Sequence, residues 1–352
     1  MADFFIVKIL FLSTLAFVFT MLWTPFLTHY LYKYKLGKRI RNNGKTPVFS
    51  KLHAHKIGTP TMGGLLIWVT VLLFSLLFFY LANLLPWEIL KYLNFLSRQE
   101  TLLPLGVLVA TALVGLFDDW LDVRGKGVFG GGGMKVSHRL IIYTLIALFG
   151  AWWFYFKLDW DLFHVPFVGT FELGWPYILI FIFVIVATAF SVNETDGLDG
   201  LAGGSLLFAF AAYGAIAFSL GKYDLASFCG VIVGALLAFL WFNINPARFY
   251  LGDTGSMSLG ITLGVIAMLT NSALILPVIG FIFVLEAISV IMQVASKKIR
   301  GKKVFISAPI HHHLEAIGWS EPKIVMRFWV ISGVFVVIGL IIFMLDTHSG
   351  VF

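Results

Sequence analysis

Carboxylates stand in close pairs at the ends of apolar runs in this sequence. Asp118 and Asp119 close one run, and Asp196 and Asp199 stand three residues apart in a segment with two glycines. Adjacent carboxylates beside lipid repel each other and lose hydration, so the first pair favours a nearby Mg²⁺ or basic side chain. Residues three apart on a helix share a face, so the second pair can meet one ligand. The alternatives are a helix stop at the lipid boundary and a helix cap.

A further carboxylate, Asp253, lies in a Gly-Asp-Thr-Gly segment just before another apolar run. Mg²⁺ takes one or two carboxylates and leaves its other positions to water and phosphate, so Asp253 is the predicted metal ligand. Three residues earlier, Tyr250 offers an aromatic face on which a base can stack. The alternatives are a tight turn with a helix cap for Asp253 and an aromatic anchor at the membrane interface for Tyr250.

Three consecutive histidines, His311 to His313, follow a basic stretch at 297–303. Consecutive residues on a helix point about 100° apart and do not converge on one zinc ion, which helices bind through pairs four residues apart. The histidines therefore suit hydrogen bonding to phosphate oxygens, and the lysines before them also suit anionic lipid headgroups. Glu286 is an ionisable residue inside an apolar run, which is typical either of a functional site or of a bond between helices.

Long apolar runs must position these side chains. The 352 residues are 59% hydrophobic and 12% charged, whereas soluble domains are about 25% charged. The runs are long enough to cross a hydrocarbon core of about 30 Å, so soluble, disordered, collagenous and disulfide-stapled classes are excluded. We predict an all-α polytopic membrane protein, a single integral membrane domain over residues 1–352, with about ten transmembrane helices. The predicted spans are 4–31, 60–84, 102–117, 138–157, 175–190, 201–220, 225–242, 256–270, 273–295 and 325–345.

The basic residues give the predicted orientation. With both termini outside, the cytoplasmic connections hold 20 of the 25 lysine and arginine residues, as the positive-inside rule requires. This placement accounts for the net charge of +7 without a nucleic acid partner. All of the polar segments described above fall in these connections, so we predict one active site at the cytoplasmic face. We expect the outer connections to have a structural role only. They are predicted to form an interfacial helix at 86–99 and a hairpin at 158–174.

Five motifs together resemble those of the polyprenyl-phosphate N-acetylhexosamine-1-phosphate transferase superfamily. The first motif, at 58–64, and the last, at 309–315, are most similar to the phospho-N-acetylmuramoyl-pentapeptide transferase family within this superfamily. The resemblance extends from about Gly58 to Arg327 in the same order. The motifs are Gly58-Thr-Pro-Thr-Met-Gly-Gly64, Phe117-Asp-Asp119, Thr195-Asp-Gly-Leu-Asp-Gly-Leu201, Gly252-Asp-Thr-Gly-Ser256 and Pro309-Ile-His-His-His-Leu-Glu315.

This resemblance implies a Mg²⁺-dependent bacterial enzyme of the cytoplasmic (inner) membrane that forms homodimers. Its reaction transfers phospho-N-acetylmuramoyl-pentapeptide from UDP-N-acetylmuramoyl-pentapeptide to undecaprenyl phosphate, giving lipid I and UMP in peptidoglycan synthesis. The implied partners are these two substrates, membrane lipid and a second copy of the chain. Two other functions fit the residues. One is a relative that uses UDP-N-acetylglucosamine, and the other is a secondary transporter, although transporters place polar groups near the midplane.

The resemblance also assigns roles by motif. It implies catalytic roles for Asp118, Asp119, Asp196, Asp253, His311, His312 and His313, and binding of the nucleotide and diphosphate by Lys56, Asn193, Asn243 and Tyr250. Asp199 joins the substrate-binding group through the helix face that it shares with Asp196. Two departures from the family pattern are Asp122, where a lysine is frequent, and Glu194, where the residue is usually apolar.

Two reaction routes fit these roles. In the first, Asp118 removes a proton from the lipid phosphate, whose oxygen then attacks the β-phosphorus directly. In the second, Asp253 first forms a covalent aspartyl-phosphate. In the first route Mg²⁺ held by Asp253 neutralises the diphosphate and stabilises UMP as the leaving group.

Overall fold

A computed structural model of the protein describes residues 2–37, 56, 58–98, 100–125 and 133–349. The basic residues between 38 and 51 and Lys126, which contribute to the predicted orientation, lie outside these described residues. The described part forms thirteen α-helices, one π-helical turn and one β-hairpin. The π-helical turn (Trp153–Lys157) continues α5, and strands β1 (Leu162–Val165) and β2 (Gly169–Glu172) follow it. The α-helices are α1 (Ala2–Lys33), α2 (Leu65–Leu84), α3 (Glu88–Leu93), α4 (Leu102–Arg124), α5 (Val136–Trp152), α6 (Pro176–Thr195), α7 (Leu201–Ser219), α8 (Tyr223–Asn243), α9 (Gly252–Leu269), α10 (Leu276–Ile279), α11 (Phe281–Arg300), α12 (Ile310–Ala316) and α13 (Glu321–His348).

Nine helices in the described ranges are long and apolar enough to cross a membrane. They are α1, α2, α4, α5 with its π-helical turn, α6, α7, α8, α9 and α13. Each coincides with a predicted span, because an α-helix satisfies its own backbone hydrogen bonds where lipid offers no partner. The predicted fold class, an all-α polytopic membrane protein, is confirmed. The orientation of these helices stays a prediction.

The remaining predicted span, 273–295, is divided into α10 and α11. Pro277 occupies the first turn of α10, the position in a helix that proline fits best, and Gly280 separates the two helices. Helix α11 then continues beyond the predicted end and carries three basic residues in its last turn. It is strongly amphipathic rather than uniformly apolar, which is why it does not resemble the other nine.

Helix α9 forms the centre of the bundle, and nearly all of its residues are buried. It packs most extensively against α4 and α6. Small residues allow this close approach, as is typical of membrane bundles. A Cβ on Gly260 of α9 would lie only 3.0 Å from the Cα of Ala189 on α6, and a Cβ on Gly115 of α4 would overlap the backbone of Asp253. The start of α9 is therefore held against the neighbouring helices.

The predicted hairpin at 158–174 is confirmed by the antiparallel pairing of β1 and β2. It is joined to α13 by His164, whose Nε2 lies 2.6 Å from Oδ2 of Asp346. The helix predicted in the connection 86–99 is α3. Because Asp346 lies near the end of α13, the hairpin packs at the opposite end of this helix from Glu321.

Candidate active site

An arginine joins two of the predicted aspartates at one end of the bundle. Arg139, in the first turn of α5, donates through Nε to Oδ2 of Asp118 at 2.8 Å and through a terminal nitrogen to Oδ2 of Asp253 at 2.7 Å. Asp118 lies near the end of α4, and Asp253 lies in the first turn of α9. Asp118 is fully buried, so the guanidinium supplies the positive charge that a carboxylate removed from water requires.

Asn193 completes this junction from the end of α6. Its side-chain oxygen accepts a hydrogen bond from Arg139 at 2.9 Å, and its side-chain nitrogen donates to Oδ1 of Asp253 at 2.7 Å. The same nitrogen lies 2.9 Å from the hydroxyl of Ser256. Four helices therefore contribute one side chain each to a network of Arg139, Asp118, Asn193 and Asp253. We call this network the arginine junction.

The second carboxylate of the aspartate pair, Asp119, supports the start of α9. It accepts hydrogen bonds from the backbone amides of Asp253 at 3.1 Å and Thr254 at 3.0 Å, and from the hydroxyl of Thr61 at 3.0 Å. A carboxylate on the free amides of a helix N-terminus stabilises the helix start and its dipole. Gly252, the first residue of α9, has a φ of +75°, a left-handed conformation that glycine adopts without steric cost. Asp119 therefore fixes the position of Asp253.

A second cluster surrounds Lys56. The ammonium nitrogen lies 2.7 Å from Oδ1 of Asp199 and 2.5 Å from Oε1 of Glu321. Burial lowers the pKa of Lys56, but the negative charges of Glu321 and Asp199 outweigh it and leave the pKa above its usual range. The other oxygen of Asp199 accepts hydrogen bonds from the side chain of Asn245 at 3.0 Å and the backbone amide of Ala247 at 3.1 Å. We call Lys56, Asp199 and Glu321 the lysine cluster.

Asn243 and Tyr250 border the lysine cluster. The side-chain oxygen of Asn243 accepts a hydrogen bond from the amide of Gly200 at 3.0 Å, and its nitrogen donates to the carbonyl of Phe249 at 2.8 Å. The ring of Tyr250 lies 5.9 Å from the ammonium of Lys56. Burial raises the pKa of the Tyr250 hydroxyl, which keeps the side chain neutral. These contacts place the ring of Tyr250 and the ammonium of Lys56 against each other at the edge of the lysine cluster.

His311 forms a third cluster with Glu286, and both side chains are fully buried. The Nδ1 atom of His311 lies 3.0 Å from Oε2 of Glu286, and neither side chain has a further hydrogen-bond partner in the described part of the chain. Burial, the largest single influence, lowers the pKa of His311, but the charge and contact of Glu286, together with the charges of Glu315 and Glu194, leave the pKa raised. The ring also presses on Gly197, where a Cβ would overlap Nε2. Glu286 therefore pairs with the first histidine of its motif.

The other two histidines have different neighbours. The Nδ1 atom of His312 lies 2.7 Å from Oε2 of Glu315, and the Nδ1 atom of His313 accepts a hydrogen bond from the backbone amide of Ile306 at 3.3 Å. The three histidines therefore have different polar partners, although the rings of His311 and His312 touch, with their centroids 4.1 Å apart. His311 is the member of the motif that packs against Gly197, between the aspartates at 196 and 199.

Three more residues named from the sequence lie around the arginine junction. Asp196 follows the last residue of α6, and its backbone amide lies 3.3 Å from the carbonyl oxygen of Asn193. Glu194 is half-buried in the last turn of the same helix. Asp122, one turn after Asp118, accepts a hydrogen bond from the amide of Gly133 at 3.1 Å. Asp122 therefore ties α4 to the segment that leads into α5.

The oxygen donors of the arginine junction suit a hard divalent cation. Asp118, Asp253 and the amide oxygen of Asn193 surround one guanidinium, and Mg²⁺ combines one or two carboxylates with water and phosphate. Across residues 2–37, 56, 58–98, 100–125 and 133–349, no three His, Cys, Asp or Glu side chains are placed to hold a metal among themselves. The donor set thus fits an ion that completes its shell with substrate phosphate and water.

Two residues of these clusters, Arg139 and Glu321, are not predicted as site residues by the sequence. Arg139 contributes there only to the count of basic residues, because its carboxylate partners lie 21 and 114 residues away along the chain. Glu321 stands in the first turn of α13, where an acidic residue is ordinary because it favours the helix dipole. The one available signal is the same for both: each is a charged residue at the start of an apolar run.

Known proteins resemble this chain over most of its length. Residues 101–271 match the glycosyl transferase family 4. The chain is 38% identical over 346 residues to the phospho-N-acetylmuramoyl-pentapeptide-transferase of Chloroflexus aggregans (strain MD-66 / DSM 9485), covering 95% of this chain and 89% of that protein. Proteins of the same name from Geobacillus sp. (strain WCH70) and Anoxybacillus flavithermus (strain DSM 21510 / WK1) are 39% and 40% identical over 335 and 337 residues, covering 93% and 95% of this chain and 95% and 97% of theirs. The chain therefore belongs to the phospho-N-acetylmuramoyl-pentapeptide transferase family.

Proposed function

We propose that this protein transfers phospho-N-acetylmuramoyl-pentapeptide from its UDP carrier to undecaprenyl phosphate, giving lipid I and UMP in peptidoglycan synthesis. The observation that carries the proposal is the arginine junction, in which Asp118, Asn193 and Asp253 meet on Arg139. The junction combines a base, oxygen ligands and a cation at one end of a bundle of membrane helices. Phosphoryl transfer depends mainly on positioning and electrostatic stabilisation of this kind.

Asp118 and Arg139 have distinct roles in the proposed reaction. Asp118 accepts the proton of the lipid phosphate, and the freed oxygen attacks the β-phosphorus in line. A new P–O bond to the lipid forms while the bond between the β-phosphorus and the UMP oxygen breaks. Arg139 is planar and offers several donors, so it can hold phosphate oxygens while it remains bonded to one of its carboxylates. Removing Arg139 would therefore weaken substrate binding and would also leave the Asp118 carboxylate without its positively charged partner.

Magnesium dependence is part of the same proposal. Asp253 would hold the ion, with Asp118 or the amide oxygen of Asn193 as the second protein donor. When bound, the ion supplies positive charge to the diphosphate as UMP leaves. Asp119 keeps Asp253 in position through the first amides of α9.

The lysine cluster is assigned to the donor substrate. Two carboxylates surround one ammonium, so Lys56, Asp199 and Glu321 carry a net negative charge. This charge suits hydroxyl or amino groups better than phosphate. The cluster therefore fits the ribose or the peptide part of the UDP carrier, and the ring of Tyr250 provides a stacking face for the base.

A furrow along α6 supports access for a membrane-embedded acceptor. It runs between α6 and the broken pair α10–α11, and Phe183, Ala187 and Phe283 line it. The furrow also includes Ser191, two residues before Asn193. A polyprenyl chain in this furrow would bring its phosphate to the arginine junction.

The cellular setting belongs to the proposal as well. We place the protein in the bacterial cytoplasmic (inner) membrane as a multi-pass homodimer, with both termini outside and the active site facing the cytoplasm. The positive-inside distribution of lysine and arginine supports this orientation. Labelling of single cysteines introduced at Asp3 and Lys323 by a membrane-impermeant reagent tests it, since these residues lie in opposite predicted compartments. Equal labelling of both sites in intact cells would contradict the orientation.

Release of UMP by the purified protein tests the activity. We expect release with undecaprenyl phosphate, Mg²⁺ and the muramoyl-pentapeptide donor, and its loss when Mg²⁺ is chelated. UDP-N-acetylglucosamine in place of that donor distinguishes the related transferase, and solute movement without a covalent product would indicate a transporter. Asp253→Asn should abolish turnover in a folded protein. A phospho-muramoyl adduct on Asp253, formed with the donor alone, would instead support the two-step route.

A further inference from the structure

Helix α13 presents one continuous exposed stripe that the proposed reaction does not use. Lys323 and Arg327 occupy its first two turns, and Val330, Val334 and Val337 follow on the same face at helical spacing. All five side chains are exposed in the described structure. The stripe is thus basic at one end and apolar along the rest, a pattern that matches a charged headgroup followed by a hydrocarbon chain.

The two cations at the end of this stripe are arranged around one indole ring. The ammonium of Lys323 lies 4.5 Å from the ring centre of Trp319, and the guanidinium of Arg327 lies 4.6 Å from it. Neither cation has an Asp or Glu partner within ion-pair distance in the described ranges of the chain. The indole holds the two cations close together, and their charge remains available to an anion from outside.

A furrow runs between α7 and α13, and the first residue of α13 that lines it is Met326, which precedes Arg327. Its volume is about 560 Å³, and Phe208 on α7 faces Val330, Gly333 and Val334 on α13 across it. At Gly333 the furrow has room for a side chain, because an added Cβ would meet only the ring of Phe208, at the ordinary contact distance of 3.7 Å. The lining is almost wholly apolar. A volume of this size is within the range of small-molecule sites in proteins, roughly 300–1,000 Å³.

We propose that this surface is a binding site for an anionic phospholipid, with the phosphate at Lys323 and Arg327 and an acyl chain in the furrow along Gly333. The charge of the two unneutralised cations selects an anionic over a zwitterionic headgroup. The site shares no lining residue with the furrow along α6 that we assign to the polyprenyl acceptor. The lipid site can therefore be tested independently of the proposed reaction.

One residue connects this lipid site to the catalytic end of the bundle. Trp329 lines the furrow, and its indole nitrogen donates to the carbonyl of Gly200 at 3.1 Å. Gly200 follows Asp199 of the lysine cluster. A bound acyl chain would pack against Trp329 and hold it in this contact, so occupancy of the site should raise the thermal stability of the protein.

Native mass spectrometry of the intact protein with added phosphatidylglycerol or phosphatidylcholine tests the headgroup assignment. We expect tighter binding of phosphatidylglycerol, weakened roughly fivefold by Lys323→Gln or by Arg327→Gln, since each basic side chain near an anionic headgroup contributes about this factor. The matched control is Lys33→Gln, because Lys33 also lies over aromatic rings, at 6.0 Å from Tyr30, but is on α1, away from α7 and α13 in the sequence, and lines neither furrow described above. Equal binding of the two lipids, or an equal loss in the control, would overturn the proposal.

Filling the furrow tests the acyl-chain assignment without changing charge. Gly333→Leu should weaken phosphatidylglycerol binding and remove its stabilising effect on thermal unfolding, and Val334→Phe should do the same from the next residue of the lining. Gly106→Leu is the control, since Gly106 on α4 has no atom within 4 Å of its added Cβ. Unchanged lipid binding in both filled variants would overturn the acyl-chain assignment. Displacement of phosphatidylglycerol by an equal concentration of undecaprenyl phosphate would assign the site to the substrate instead.

Discussion

The carboxylate of Asp119 accepts a hydrogen bond from the backbone amide of Asp253 at 3.1 Å, so one member of the aspartate pair holds another predicted catalytic residue in place. The two residues stand 134 positions apart in the sequence, with several membrane helices between them, yet the contact is direct. Its neighbour Asp118 instead faces Arg139. Two adjacent carboxylates therefore have different partners, because successive residues on a helix point in different directions. In the proposed reaction Asp119 is therefore a positioning residue, whereas Asp118 is the residue that meets the reacting groups.

Replacing Asp119 should lower both the stability of the protein and its rate of UMP release. Asp119→Ala leaves the amides of Asp253 and Thr254 without their acceptor, at a cost of roughly 1–3 kcal/mol for each buried group. We expect a clear fall in the midpoint of thermal unfolding together with loss of UMP release. Asp122→Ala is the matched control, because Asp122 accepts one amide hydrogen bond, from Gly133. Equal stability of Asp119→Ala and the wild type would contradict the positioning role.

Arg139 should be essential for both charge balance and turnover. Arg139→Ala leaves Asp118 and Asp253 facing each other without a cation, and breaking a buried ion pair typically costs about 3–5 kcal/mol. Loss of a preorganised donor at a reacting phosphate lowers the rate roughly 100- to 1,000-fold. Arg139→Lys should retain more of both properties, but it cannot reproduce the three separate contacts of the guanidinium.

Thermal unfolding and UMP release, measured on the same samples, check the role of Arg139. Arg124→Ala is the control, since Arg124 is an exposed residue at the end of α4 that lies over Trp120 at 5.3 Å. We expect that control to keep near-normal values. Wild-type turnover in Arg139→Ala would remove the arginine junction from the mechanism.

The apolar runs and the polar motifs predict most of the fold and much of the site, because both depend on local sequence. Run length predicts nine of the ten spans, and the motif residues Asp118, Asn193 and Asp253 do lie together. Run length does not reveal the break at Gly280, because helix α11 is still apolar in its first half. Partner choice is harder to predict. Arg139 and Glu321 acquire their partners only when helices distant in sequence pack side by side.

Because of the lysine cluster, the free energy of unfolding should depend on pH in the alkaline range. The pKa of Lys56 is raised in the folded protein, so its stabilising contribution is complete below the unfolded pKa of about 10.4 and is lost as pH rises through the higher folded value. Lys56→Met removes the cation from Asp199 and Glu321 and should cost roughly 3–5 kcal/mol at neutral pH. The difference in unfolding midpoint between the two proteins should then shrink above about pH 10.4.

Lys91→Met is the matched control for this measurement. Lys91 also pairs with a carboxylate, Glu88 at 2.8 Å, but on the surface of α3, where an ion pair contributes only about 0–1 kcal/mol. Its unfolding midpoint should follow that of the wild type at every pH. A cost in Lys56→Met no larger than in Lys91→Met would show that the lysine cluster does not stabilise the fold.

The last prediction concerns the charge of His311. Burial lowers the pKa of His311, but Glu286, with smaller contributions from Glu315 and Glu194, leaves it raised, so the protonated form and its ion pair should persist to higher pH than in the unfolded chain. The stabilising contribution of the pair is complete below the unfolded pKa of about 6.5 and is lost as pH rises through the higher folded value. Glu286→Gln keeps the size of the side chain but removes its charge, so burial should prevail and lower the pKa of His311.

NMR titration of the ring carbons of labelled histidine, with His311→Gln to assign the signal, measures that pKa in the full-length protein. The pKa should fall in Glu286→Gln, and the alkaline limb of the rate profile should move to lower pH with it. Gly197→Ala offers a second approach, because the new Cβ overlaps the ring and must displace it, whereas Gly106→Ala meets no atom within 4 Å. If the pKa of His311 is the same in Glu286→Gln and the wild type, Glu286 does not control its protonation, and the buried pair serves packing alone.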